Sequence, residues 1–148
     1  MTTDTHNQTL PPAGLLRRLA AFVYDILLLA AILFIAAFVA LPFNAGEAID
    51  PGNPWYQTYL FILSFLFYAW FWTRGGQTLG MRAWRLRVES MDGGPINLGQ
   101  SLLRFMAGMA TMMTGGLAML WMVFDKEKRT LHDRFSDSRV VMLPKVKK

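Results

Sequence analysis

The chain carries two long apolar runs, Leu19 to Leu41 and Trp55 to Trp72, each about the length of a helix that crosses a bilayer. At 1.5 Å of rise per residue, ~20 apolar residues match a hydrocarbon core of ~30 Å. A third apolar run, Leu102 to Phe124, repeats the signal. Lipid offers no partners to open backbone groups, so runs of this kind fold as helices. The chain therefore reads as an all-α integral membrane protein: a small helical bundle of two full transmembrane helices plus a third apolar segment. Hydrophobic residues make up 53% of the 148, which suits a bundle facing lipid and leaves room for little else.

The expected layout is a polar cytoplasmic tail over 1–16, a membrane domain over 17–143 and a basic tail over 144–148. The spans fall at about 19–41, 55–73 and 102–124, with a cytoplasmic β segment at about 82–97 and 139–143. The first tail, with Pro11 and Pro12, is not expected to order on its own. Arg17-Arg18 ahead of an apolar run resembles the front of a signal peptide. The run is too long for one, contains Asp25 and lacks a small-x-small cleavage site, so an uncleaved anchor is expected.

Charge placement sets the orientation. Arg17 and Arg18 precede the first span and Arg74, Arg82, Arg85 and Arg87 follow the second, whereas the Pro42–Pro54 loop holds Glu47 and Asp50 and no base. The positive-inside rule puts the amino terminus and the middle segment in the cytoplasm. A third full crossing would then export the basic stretch from Lys126 to Lys148, against the same rule. Gly115-Gly116 sit inside the third run, where paired glycines weaken a helix, so a broken or re-entrant segment is expected there. A plain third crossing with an external basic tail is the alternative.

Between the second and third runs, Trp84-Arg-Leu-Arg-Val-Glu-Ser90 alternates at period two, and Asp92-Gly93-Gly94-Pro95 supplies turn chemistry before Ile96. These residues predict a small β-hairpin, to which Arg139–Leu143 adds a third strand. That pairing needs both segments on one side of the membrane, a second reason to expect re-entry.

Asp25 lies about two turns inside the first span, where an unpaired charge costs roughly 2.5–3.5 kcal/mol on insertion scales. Arg18, seven residues earlier, projects from nearly the same face. Either Arg18 or Arg104, near the start of the third run, could partner it. Two readings stay open: a cation or proton site built on Asp25, or polar helix contacts with interfacial arginines. Gly75 and Gly76 are expected to end the second helix, with Gln77, Thr78 and Gly80 shaping a tight turn and Gln77 and Thr78 reaching the segment that carries Asp133. The spacing Gly75-x-x-x-x-Gly80 is not a phosphate loop, because Met81-Arg82 stands where Lys-Ser/Thr would be.

Taken in order, Arg18 and Asp25, Arg74-Gly-Gly-Gln-Thr-Leu-Gly80, Leu86-Arg-Val88 with Asp92-Gly93, Arg104, and Phe124-Asp125 followed by Arg129-Thr-Leu-His-Asp133 resemble the RDD family, named for an arginine and two aspartates. The resemblance runs from about Leu15 to Leu143. Carried over by position, the naming residues are Arg18, Asp25 and Asp133. It implies a small membrane protein of the bacterial cytoplasmic (inner) membrane, for which transport, including sodium–proton exchange by some members, has been proposed, while others serve as modules of larger membrane assemblies. Arg139 stands where the family often has threonine, which affects the geometry of the last strand.

Enzymatic readings find little support. The chain has no cysteine, His132 and Asp133 diverge on a helix, and His6 lies in the tail, so no catalytic set, metal site or cofactor is expected. The aromatics of the second run read as packing and interfacial belt. The expected partners are anionic lipid headgroups and either further copies or another membrane subunit; nucleic acid is not expected.

Overall fold

A computed structural model describes residues 10–145. Positions 1–9 of the expected tail and 146–148 of the basic tail lie outside the described residues. The first helix, α1, spans Leu15–Ala40, and a 3-10 turn over Leu41–Asn44 ends it at Pro42. With that turn, Leu15–Asn44 has a mean hydropathy of 2.9, and only 6% of its span window is buried in the chain. The pattern on α1 is inverted relative to a water-soluble helix. Arg18 and Asp25 are buried, while Leu27, Phe34 and Phe38 stand exposed.

The second helix, α2, spans Pro54–Arg74, with the Asn53 side chain accepting from the amides of Trp55 and Tyr56 and Pro54 in the first turn. It covers the second apolar run. Its Tyr, Trp and Gln residues lower its hydropathy, so α1 is the one helix among the described residues long and apolar enough to cross a membrane by itself. A short helix, α3 (Leu79–Ala83), leads into strand β1 (Leu86–Ser90).

The third apolar run is two helices, α4 (Leu98–Met113) and α5 (Leu117–Phe124), bent 108° from one another. The break falls at the glycine pair named from sequence: Gly115 and Gly116 have φ of +65° and +83°, a conformation that favours glycine. A short helix α6 (Leu131–Phe135) and strand β2 (Ser138–Met142) complete the chain. α4 starts beside the sheet, where the Gln100 side chain donates to Ser90 Oγ at 3.1 Å and to the Asp137 carbonyl at 3.2 Å. After α5 the chain is back at that sheet, with β2 antiparallel to β1 in the register Leu86↔Met142 to Ser90↔Ser138. The third segment thus starts and ends beside the sheet.

The predicted hairpin is not formed. The β1 strand turns at Ser90–Gly94, Pro95 follows with no amide hydrogen to donate, and Ile96 is buried in the core. Asn97 then opens α4 as a capping box with Gln100. What borders β2 on its other side is the amino-terminal segment: the Met142 amide donates to the Pro11 carbonyl at 2.9 Å and the Ala13 amide to the Val140 carbonyl at 3.1 Å. Order thus reaches back into the stretch expected as tail. The core lies at this end, where Ala21, Trp72, Met81, Leu86, Val88, Phe105 and Val140 meet.

Candidate functional site

The charged residues singled out from sequence are buried in two separate constellations. The first is centred on Asp133, which is fully enclosed. Thr130 caps α6, accepting from the Asp133 amide, while Asp133 Oδ2 accepts from the Thr130 amide at 3.2 Å. This reciprocal box fixes the carboxylate so that its two oxygens face two helices. Arg18 Nη1 of α1 donates to Oδ2 at 2.5 Å, and Arg104 Nη1 of α4 donates to Oδ1. The other Arg18 nitrogens donate to the carbonyls of Ala13 (3.1 Å), Lys128 (3.2 Å) and Val140 (3.3 Å). Arg104 also reaches Ser138 Oγ at 3.1 Å, and its guanidinium lies 5.3 Å from the Trp72 ring centroid. One carboxylate therefore ties together α1, α4, α6 and the sheet.

The second constellation holds Asp25, 3% exposed. Thr78 Oγ1 donates to its Oδ2 at 2.5 Å and the Gly80 amide to its Oδ1 at 2.9 Å. The Thr78 hydroxyl oxygen also accepts from the Met81 amide at 3.2 Å, capping α3. Gly80 allows this approach because a Cβ there would sit 2.3 Å from the Ala21 carbonyl oxygen and 2.8 Å from Asp25 Oδ1.

The expectation that Arg18 or Arg104 partners Asp25 is therefore overturned. Arg18 and Asp25 do share the buried face of α1, but side chains on a helix lean toward its amino terminus, and the arginine reaches away from Asp25 to Asp133. Gln77 and Thr78 do not reach the Asp133 segment either: Gln77 Nε2 donates to the Leu86 carbonyl at 2.7 Å, and Thr78 serves Asp25. Gly75 caps the carboxyl end of α2 as expected, and Gly76, at φ +66°, lies so close to β1 that a Cβ would fall 2.3 Å from the Val88 carbonyl oxygen.

Sequence reading missed Glu89, whose buried carboxylate takes Arg139 Nη2 at 2.6 Å and Arg87 Nη2 at 3.0 Å. Its signal was the sheet register, since Glu89 stands opposite Arg139. It also missed Asp125, which accepts from Arg134 and from the Arg129 amide at 2.8 Å, closing the turn after α5.

Burial by itself pushes the Asp133 carboxyl up, but the guanidiniums of Arg104 and Arg18 outweigh it and hold it well below the usual carboxylate range. Asp133 stays ionised at any physiological pH and is unsuited to carrying a proton. Burial, reinforced by the Arg104 charge, pushes the neighbouring His132 down to about 3. In the unfolded chain a histidine titrates near ~6.5, so between about 6.5 and 3 the unfolded state binds the extra proton and stability falls as pH falls. Thermal midpoints of the detergent-solubilised chain are expected to drop across that window, and His132→Leu is expected to flatten the slope.

The family model of the RDD family matches residues 12–137. No curated protein and no solved structure matches the chain. The matched stretch opens at the segment paired with β2, ends just before β2 and contains Arg18, Asp25, Arg104 and Asp133.

Proposed function

The chain belongs to the RDD family of membrane proteins, and from that premise we propose that it is a non-catalytic accessory or scaffold subunit of a membrane assembly, one that needs no cofactor. The observation that carries this reading is how the carboxylates are used. Asp133 is occupied by two arginines and Asp25 by Thr78 and Gly80, so the buried charges act as clamps between segments. α1 and α2 serve as two full crossings and α4–α5 as a re-entrant segment, with the sheet, the start of α1 and the end of α2 on the cytoplasmic face of a bacterial inner membrane. The basic residues at that end support the orientation. Gly108 faces open space on α4, and Leu102, Met106, Met109 and Met113 of the same helix are exposed, which leaves an apolar face for lipid, a second copy or another subunit.

Exchange of a proton or small cation is the second reading, favoured by one observation: among the described residues Asp25 makes no ion pair. The two separate in liposomes. On adding Na⁺, K⁺ or Li⁺ against a preset pH gradient, the scaffold reading expects no proton movement above empty vesicles from wild type or Asp25→Asn. Movement by wild type that is lost in a folded Asp25→Asn protein would reverse the order of the two readings.

A further inference from the structure

We propose that the groove between α3 and the end of β2 binds a phosphate-ester anion, presented by the headgroup of an acidic phospholipid. The groove has a volume of about 700 Å³ and is lined by Gln77, Arg82, Arg85, Leu143, Pro144 and Lys145. Three cations and no acid face it. Among the described residues none of Arg82, Arg85 and Lys145 takes part in an ion pair, although the other arginines of the sheet end, Arg87 and Arg139, are matched to Glu89. Like charges gathered in one concavity repel unless an anion joins them, and arginine offers phosphate oxygens paired donors in a fixed plane.

The backbone holds this arrangement in place. Arg85 sits at φ +56°, a conformation uncommon outside glycine, and its carbonyl accepts from the Leu143 amide at 2.7 Å. That bond joins the α3–β1 turn to the chain leaving β2, so the two walls of the groove are tied to each other. Leu143 and Pro144 add an apolar side to the lining, suited to the start of a lipid's acyl chains.

Position favours the lipid over a soluble phosphate. Gly80 abuts the carbonyl of Ala21, which places α3 beside the second turn of α1. Leu79 and Trp84, at the two ends of the same short stretch, are 41% and 40% exposed, and tryptophan with basic residues marks the headgroup level of a membrane protein. This placement rests on the membrane orientation proposed above, not on the choice between scaffold and exchanger.

The test is lipid retention by the full chain in detergent, followed by native mass spectrometry. Phosphatidylglycerol and phosphatidylcholine are compared, with inorganic phosphate and glycerol 3-phosphate as soluble competitors. Phosphatidylglycerol is expected to bind about tenfold more tightly than phosphatidylcholine, and Arg82→Gln with Lys145→Gln to remove most of that preference at an unchanged thermal midpoint. Both residues are exposed, so their replacement is expected to leave the fold intact. If the double variant loses its thermal transition, Lys145→Gln alone, beyond the last strand, carries the comparison. Soluble phosphates that bind in the groove and displace the lipid at millimolar concentration would support the phosphate site and reassign its source. Equal retention of the two lipids, or full preference in the variants, would overturn the proposal. A protein that stays dispersed without detergent would instead refute the membrane reading.

Discussion

Asp133→Asn is expected to destabilise the fold by about 3–5 kcal/mol, because it leaves two buried guanidiniums without their shared counterion. The effect exceeds that of an ordinary ion pair for a geometric reason. The carboxylate is fully enclosed, takes Arg18 on one oxygen and Arg104 on the other, and caps its own helix through Thr130. The amide retains the shape and supplies one acceptor oxygen, but its nitrogen presents hydrogens to a guanidinium. A large fall in thermal midpoint and in recovered monodisperse protein is the expected result. Arg18→Met or Arg104→Met on the Asp133→Asn background should recover part of the loss, since each removes one uncompensated charge. The pH dependence has a definite sign. The Asp133 carboxyl is held below its unfolded value, so its contribution is full above the ordinary carboxylate range, shrinks as pH falls through that range and is gone below the depressed folded value. Acid weakening that begins nearer pH 6 belongs to His132 instead.

Gly80→Ala is expected to be the next most damaging change. The added methyl would sit 2.3 Å from the backbone oxygen of Ala21, an atom that a long helix holds rigidly. Overpacking of this kind costs roughly 1–3 kcal/mol, and displacing the Gly80 amide and Thr78 hydroxyl from a buried Asp25 adds a similar amount, roughly 1–3 kcal/mol. Thr78→Ser, which keeps the hydroxyl, should be mild. A Gly80→Ala protein as stable as wild type would show that α3 does not rest on α1.

The long helices, and the place where the third run breaks, were legible in the sequence because they depend on local chemistry, whereas the turn expected at 77–80 is the cap of a short helix, α3. An apolar run of bilayer length, a proline and a pair of glycines each act within a few residues. The residues of the buried clusters were legible too, since charges in apolar segments stand out. Which carboxylate meets which cation was not, because Asp25 and Thr78 are 53 positions apart and Arg18 and Asp133 are 115 apart. Those pairings follow from Gly80 letting α3 touch α1 and from the third segment turning back. The hairpin was misread for a related reason. Period-two alternation identifies a strand but not its partner: the segment expected as the third strand, at 139–143, pairs directly with β1, and the residues after the turn form no strand.

The central claim is that the third apolar segment turns back, so that the Asp133 cluster closes on the side where the chain enters the membrane. The chain has no cysteine of its own, so single cysteines introduced as Arg17→Cys, Glu47→Cys and Lys126→Cys report position without a background. Labelling with a membrane-impermeant maleimide, on intact cells and then on inverted vesicles, tests the claim directly. The account predicts that Arg17→Cys and Lys126→Cys react together from the cytoplasmic side and Glu47→Cys from the other. Reaction of Lys126→Cys on the same side as Glu47→Cys would contradict it.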